Sequence, residues 1–169
     1  MELVAVLDNI RSIHNVGSIF RTADAVGISR LYLCGITPIP IDRLGKTREA
    51  FRKVSLGAEQ SVLWEHASSC AALVTELQRE KFLVCAIEQR RDARSLFARA
   101  AIPRGAKKIA LVFGNEVDGV SQRVLKRVDR IIEIPMRGAK ESLNVSVAFG
   151  VAVYHIAEGV ARKPLTHRS

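Results

Sequence analysis

Short apolar runs rich in Val, Ile and Leu recur along the chain at 3–7, 31–34, 82–87, 109–113 and 131–134, with 62–64 a weaker case. They do not alternate with polar residues, the pattern expected of strands covered on both faces. Between them, apolar residues at helical spacing predict helices over 16–26, 68–80, 122–127 and 142–158. Strand and helix in alternation predict an α/β fold with a mostly parallel sheet flanked by helices. No composition break marks a second domain, so one domain is expected over 1–160, followed by a polar tail at 161–169.

The last helix stands apart. Leu143, Val145, Val147, Ala148, Phe149, Val151, Ala152, Val153 and Ile156 leave it almost no polar face. A helix apolar all round is buried all round. Either the rest of the fold surrounds it, or a partner subunit covers its second face.

Composition narrows the class. Of 169 residues, 48% are hydrophobic and 25% charged, which excludes a disordered chain. The net charge is +9, and almost all of the excess lies in the second half. A basic excess fits a polyanionic partner such as nucleic acid. Cys34, Cys70 and Cys85 sit among apolar neighbours with no Cys-x-x-Cys pair, the usage of buried thiols in a reducing compartment. No signal peptide or membrane-length apolar run is visible, so a cytoplasmic protein without a membrane partner is expected. The four His residues show no metal-ligand spacing, and no metal is expected.

Three polar turns carry the candidate chemistry. The first, from Asn9 to Arg21, follows the first strand, where ligands bind in open α/β sheets. Asn15 is a candidate helix cap, Gly17 permits close backbone approach, and Arg21 can grip a phosphate with two hydrogen bonds. His14 is a candidate base or a packing residue. The second, Val112 to Ser121, nearly spells a phosphate loop but lacks the Lys after its second Gly. It remains a Gly-rich turn carrying Glu116. The third, Ile134 to Asn144, leads into the apolar helix, where Ser142 or Asn144 can satisfy the first amides.

Together the turns resemble the SpoU/TrmH-type RNA 2′-O-ribose methyltransferases of the SPOUT superfamily. The resemblance rests on Asn15-Val-Gly-Ser-Ile-Phe-Arg21, Leu111-Val-Phe-Gly-Asn-Glu116 with Gly119, and Ile134-Pro-Met136 with Ser142-Leu-Asn-Val-Ser-Val-Ala148. The stretch from Lys53 to Glu59 also looks like the family. The resemblance implies a parallel α/β fold with a deep trefoil knot at its C-terminal end, S-adenosylmethionine as cofactor, and a homodimer acting on tRNA or rRNA. It implies cofactor contacts at Gly114, Ile134, Met136 and Leu143. It implies a catalytic group of Arg21, Asn15, Glu116, Ser142 and Asn144, with Glu116 ordering the pocket or pairing with Arg21. RNA is then expected on Arg21, Lys46, Arg48, Arg52, Lys53, Arg137 and Lys140. The alternatives are an RNA-binding protein of this fold without catalysis, and a methyltransferase acting on the base.

Overall fold

A computed structural model describes residues 1–161 and shows seven parallel strands in one sheet. The elements in chain order are β1 (Glu2–Asp8), α1 (Ile13–Val26), β2 (Arg30–Cys34), α2 (Glu49–Ser55), α3 (Ala58–Ser61), β3 (Trp64–Ala67), α4 (Cys70–Arg79), β4 (Leu83–Ile87), β5 (Arg94–Ser95), β6 (Lys108–Gly114), α5 (Gln122–Leu125), β7 (Arg130–Glu133) and α6 (Val145–Ala161). The strand order is β3-β2-β1-β6-β4-β7-β5. The polar tail expected at 161–169 lies outside the described residues, apart from Ala161 at the end of α6.

The central strands are the ones with unbroken apolar runs. β1 and β6 pair along their full length, from Glu2 against Lys108 to Asp8 against Gly114. Their side chains alternate between two cores. Leu3, Ala5 and Leu7 join the layer packed against α1, α2 and α6, whereas Val4 and Val6 join the layer beneath α4 and α5. Cys34, Cys70 and Cys85 are buried free thiols. Burial pushes the Cys85 thiol up to about 12.

Aromatic pairs fix two helices on the first layer. Phe20 of α1 meets Phe51 of α2 edge-on, with ring centroids 5.1 Å apart, and Phe149 of α6 lies 5.1 Å from Phe113 of β6. Such pairs contribute about 0.5–1.5 kcal/mol beyond area burial.

Several boundaries differ from the sequence expectation. Ser12, not Asn15, caps α1, accepting from the Asn15 amide at 3.2 Å. The weak strand moves from 62–64 to Trp64–Ala67, and α6 starts at Val145 rather than at 142. The short elements α2 and α3 had no visible signal. In α2 only Phe51 and Ser55 are buried, too few to make a helical period.

The rest of the fold covers only part of α6. Phe149, Ala152, Val153 and Ile156 are buried, while Val147 is 51% and Tyr154 48% exposed. Among the described residues, no helix is long and apolar enough to cross a membrane.

Helix α1 passes close to α2 at Gly17. A Cβ there would fall 2.9 Å from Val54 Cβ and 3.1 Å from Val54 Cγ1. Gly17→Ala is therefore expected to destabilise the fold by about 1–3 kcal/mol in urea denaturation. Adding Val54→Ala should recover part of that loss; a Gly17→Ala protein as stable as wild type would contradict the close packing.

Candidate active site

Strand order reverses direction between β1 and β6. The chain leaves β1 toward β2 and leaves β6 toward β7, which opens a crevice at the carboxyl ends of the strands. A pocket of about 380 Å³ lies there. Ile87 ends β4 and Glu88 and Gln89 follow it into the pocket, Phe113 and Gly114 end β6 with Asn115 to Val117 after them, Ile134 follows β7, and Ser142 to Val145 lead into α6.

The Gly114 turn is drawn tight. A Cβ on Gly114 would fall 1.9 Å from the Gly119 carbonyl carbon and 2.0 Å from Val120 N, so only glycine fits. Asn115 Oδ1 accepts from the amides of Val117 at 2.9 Å and Asp118 at 2.8 Å. Two carboxylates from the flanking strands clasp the far side of the turn. Glu88 Oε2 accepts from Val120 N at 2.7 Å, and Asp8 Oδ2 accepts from Ser121 N at 2.9 Å. Gln89 Nε2 donates to the Ile134 carbonyl at 2.7 Å, tying β4 to the third turn.

A chain of amides joins the three polar turns. Asn144 Nδ2 donates to Asn15 Oδ1 at 3.1 Å, and Asn15 Nδ2 donates to Glu116 Oε1 at 2.7 Å. Asn144 Oδ1 caps α6, accepting from Ser146 N at 2.9 Å and Ser146 Oγ at 2.7 Å. Arg11 N donates weakly to Glu116 Oε2 at 3.4 Å. Burial alone would push the Glu116 carboxyl up. The Asn15 amide and backbone N–H groups outweigh burial and hold it below the usual carboxylate range.

The expected site residues divide. Asn144 and Glu116 line the pocket together with Ser142, Gly114, Ile134 and Leu143, and Asn15 is bound to both Glu116 and Asn144. Met136 is not among the lining residues. Neither is Arg21, and no hydrogen bond or ion pair engages its side chain among the described residues. It stands six residues beyond Asn15, about 9 Å along α1 and about 120° around it. Of the two roles expected of Glu116, the pairing with Arg21 is not made within this chain: Glu116 lines the pocket and pairs with Asn15 instead. His14 is exposed on α1, and Phe20 and Phe51 are fully buried core residues.

The expected RNA contacts are scattered. Lys53 Nζ pairs with Glu49 at 2.9 Å, and Arg48 Nε donates to the Ile41 carbonyl at 3.0 Å. Lys46 and Arg52 are exposed near them, and Arg137 and Lys140 are exposed on the third turn. Among the described residues no group of His, Cys, Asp and Glu side chains is gathered to hold a metal. Sequence reading missed Asp8, Glu88 and Gln89. Their signal was a polar residue directly after an apolar strand run, at the end where ligands bind.

A parallel sheet with a polar pocket at its switch point defines a ligand-binding α/β protein. The more particular class comes from comparison. The model of the SpoU rRNA Methylase family matches residues 2–154, and the chain belongs to that family. It is 33% identical over 154 residues to the 23S rRNA (guanosine-2′-O-)-methyltransferase RlmB of Pasteurella multocida, covering 91% of this chain and 59% of that protein. The chain thus spans about three fifths of the length of that relative. A solved structure described as "Structural insights into the 2-OH methylation of C/U34 on tRNA" is 30% identical, with a TM-score of 0.76, covering 94% of this chain and 95% of that one. The AdoMet-bound rRNA methyltransferase of Sinorhizobium meliloti shares the fold at 24% identity, with a TM-score of 0.81 over 95% of this chain and 57% of that one.

Asn15→Ala removes a donor to the Glu116 carboxylate. Its titration, followed by carboxyl carbon NMR, is expected to move up toward the usual value of about 4.3. A depressed folded pKa adds stability that is full above the unfolded pKa and fades as pH falls through the folded one. The variant should therefore lose part of the rise in stability that wild type shows between these pH limits. An unmoved Glu116 titration would show that the amide does not set its charge.

Proposed function

We propose that this chain transfers a methyl group from S-adenosylmethionine to a ribose 2′-hydroxyl of RNA. One observation carries the reading. The amide chain from Asn144 through Asn15 to Glu116 gathers the three turns that resemble the family's motifs around one pocket. Support comes from the family match, from the rRNA and tRNA enzymes described above, and from the AdoMet-bound structure of the same fold.

The pocket suits such a cofactor in size and chemistry. Its volume lies within the usual range for small-molecule sites. Ile134, Leu143 and Phe113 offer apolar walls, and Glu88, Asn115 and Ser142 offer polar groups to orient a ribose or an amino-acid end. S-adenosylmethionine, when bound, supplies an electrophilic methyl group on a sulfonium. The protein has to align the RNA hydroxyl with it, and alignment alone can contribute roughly 7–11 kcal/mol.

The Arg21 guanidinium already carries its proton and cannot accept another, so the proton of the 2′-hydroxyl passes to an RNA phosphate oxygen or to water. The role of Arg21 is electrostatic: it holds an RNA phosphate and stabilises negative charge developing on the 2′-oxygen. Because Arg21 stands outside this chain's own pocket lining, we propose that the site is completed by a second copy. The exposed Val147 and Tyr154 of α6 mark the face that such a copy covers. Asn15, Glu116 and Asn144 act by holding the turns in place. The proposal also includes one catalytic domain over 1–160, the segment after β6 threaded into a deep trefoil knot, and a cytosolic setting. The buried free thiols support the last of these.

The test incubates the protein with methyl-labelled cofactor and, separately, unmodified tRNA and rRNA, and locates the label by nucleoside mass spectrometry. Label on a 2′-O-methyl nucleoside is expected in one pool. Arg21→Ala should lower turnover by about 10²–10³-fold with cofactor affinity unchanged. Arg21→Lys should recover only part, because it keeps the charge and loses the fork. Label on a base, or wild-type turnover by Arg21→Ala, would overturn the mechanism.

A further inference from the structure

Residues 89–108, which run from the connection after β4 into the first residue of β6, include seven basic residues against a single acid. Two of them are paired: Arg90 with Asp92 at 2.8 Å and Lys108 with Glu2 at 3.5 Å. The others have no ion-pair partner among the described residues. Arg99 and Arg104 stand exposed at a cleft of about 670 Å³ between this connection and the C-terminal half of α6.

The cleft has an apolar floor of Leu96, Ala101 and Ile156, all buried. Beside it Phe97 is 56% exposed. Its ring meets the His155 ring edge-on, with centroids 5.0 Å apart and planes at 85°. Leu96 already fills the core at this point, so Phe97 is a spare aromatic surface. The turn that presents it is fixed in advance. Ala98 N donates to the Ser95 carbonyl at 3.0 Å, and Arg130 Nη1 donates to the carbonyls of Ala100 at 2.8 Å and Ala101 at 3.0 Å. A preformed turn spares the ordering cost on binding.

We propose that this cleft is a second RNA-binding subsite, which takes single-stranded nucleotides flanking the one modified. Spaced cations meet successive phosphates, and an exposed aromatic ring stacks on a base without regard to sequence. The place fits this partner. His155 lies ten residues beyond Val145, about 15 Å along α6 from the end that opens on the pocket, a span of a few nucleotides. Further exposed basic residues lie on neighbouring elements: Arg137 and Lys140 on the third turn, and Arg94 on β5, which pairs with the end of β7. The proposal rests on the reading of this chain as an enzyme that acts on RNA.

The test measures fluorescence anisotropy of a labelled, mixed-sequence twelve-nucleotide single-stranded RNA over a range of salt. The proteins are wild type, Phe97→Ala, and Arg99→Gln combined with Arg104→Gln. All three side chains are exposed, so the fold should persist, and sedimentation checks the assembly state. The double Gln variant should weaken binding about tenfold. It should also reduce the slope of log affinity against log salt by about 1.4, for two phosphate contacts on a single strand. Phe97→Ala should weaken binding about tenfold with the slope unchanged, since stacking releases no counterions. In methyl transfer both variants should raise the KM for RNA and leave kcat as in wild type.

Wild-type affinity and slope in both variants would overturn the subsite, as would a wild type that does not bind the probe. Altered sedimentation with unchanged RNA affinity would assign the cleft to a protein contact and overturn it equally. The two readings fail separately: absence of methyl transfer to any RNA strikes the proposed reaction, while the affinity and salt slope still decide the cleft.

Discussion

The amide chain Asn144–Asn15–Glu116 is the constraint on which the site depends. It links residues 129 positions apart in sequence at one end and 101 apart at the other. Each Asn uses its amide in two directions. Asn15 accepts from Asn144 and donates to Glu116, while Asn144 donates to Asn15 and caps α6. Hydrogen bonds in such a chain reinforce one another, so losing one member weakens the rest. The start of α1, the Gly114 turn and the start of α6 are thereby held in one arrangement.

A second set of contacts holds the same turn from behind. Asp8 ends β1 and Glu88 follows β4, the two strands that flank β6. Their carboxylates accept from consecutive amides, Ser121 and Val120. Hydrogen bonds to charged acceptors are roughly twice as strong as neutral ones. The turn therefore has little freedom, and Gly114 completes it by admitting no side chain. The result is a rigid pocket rim built from backbone groups, with apolar walls behind it.

Much of the fold was legible in the sequence because the central strands are apolar on both faces. The runs at 3–7 and 109–113 became β1 and β6, the best-paired strands of the sheet. The short elements were not legible. Helix α2 buries little more than Phe51, and β5 has only the residues Arg94 and Ser95, so neither leaves a pattern. Glu116 and Asn144 were legible as polar residues in turns beside strands and helix starts. The link between them was not, since no local spacing shows that Asn15 bonds both. Asn15 was read as a cap because it opens an apolar helical stretch, but Ser12 reaches the free amides first. Arg21 stood out in the sequence as a candidate phosphate ligand, while its position outside this chain's pocket lining depended on the turn of α1. The charge excess pointed to a polyanion, but the cleft that sets Arg99, Arg104 and Phe97 beside His155 became visible only once α6 and the β4–β6 connection were packed together.

Calorimetric titration of S-adenosylmethionine into wild type, Asn15→Ala, Asn144→Ala and the double variant tests the amide chain and the cofactor together. Wild type should bind. Each single variant should bind about tenfold more weakly, a loss of about 1.4 kcal/mol. The double variant should bind no worse than either single one, because both break the same chain. A wild type that gives no heat of binding would contradict the assignment of the pocket. Losses that simply add in the double variant would contradict the linkage of the three turns through one chain of amides.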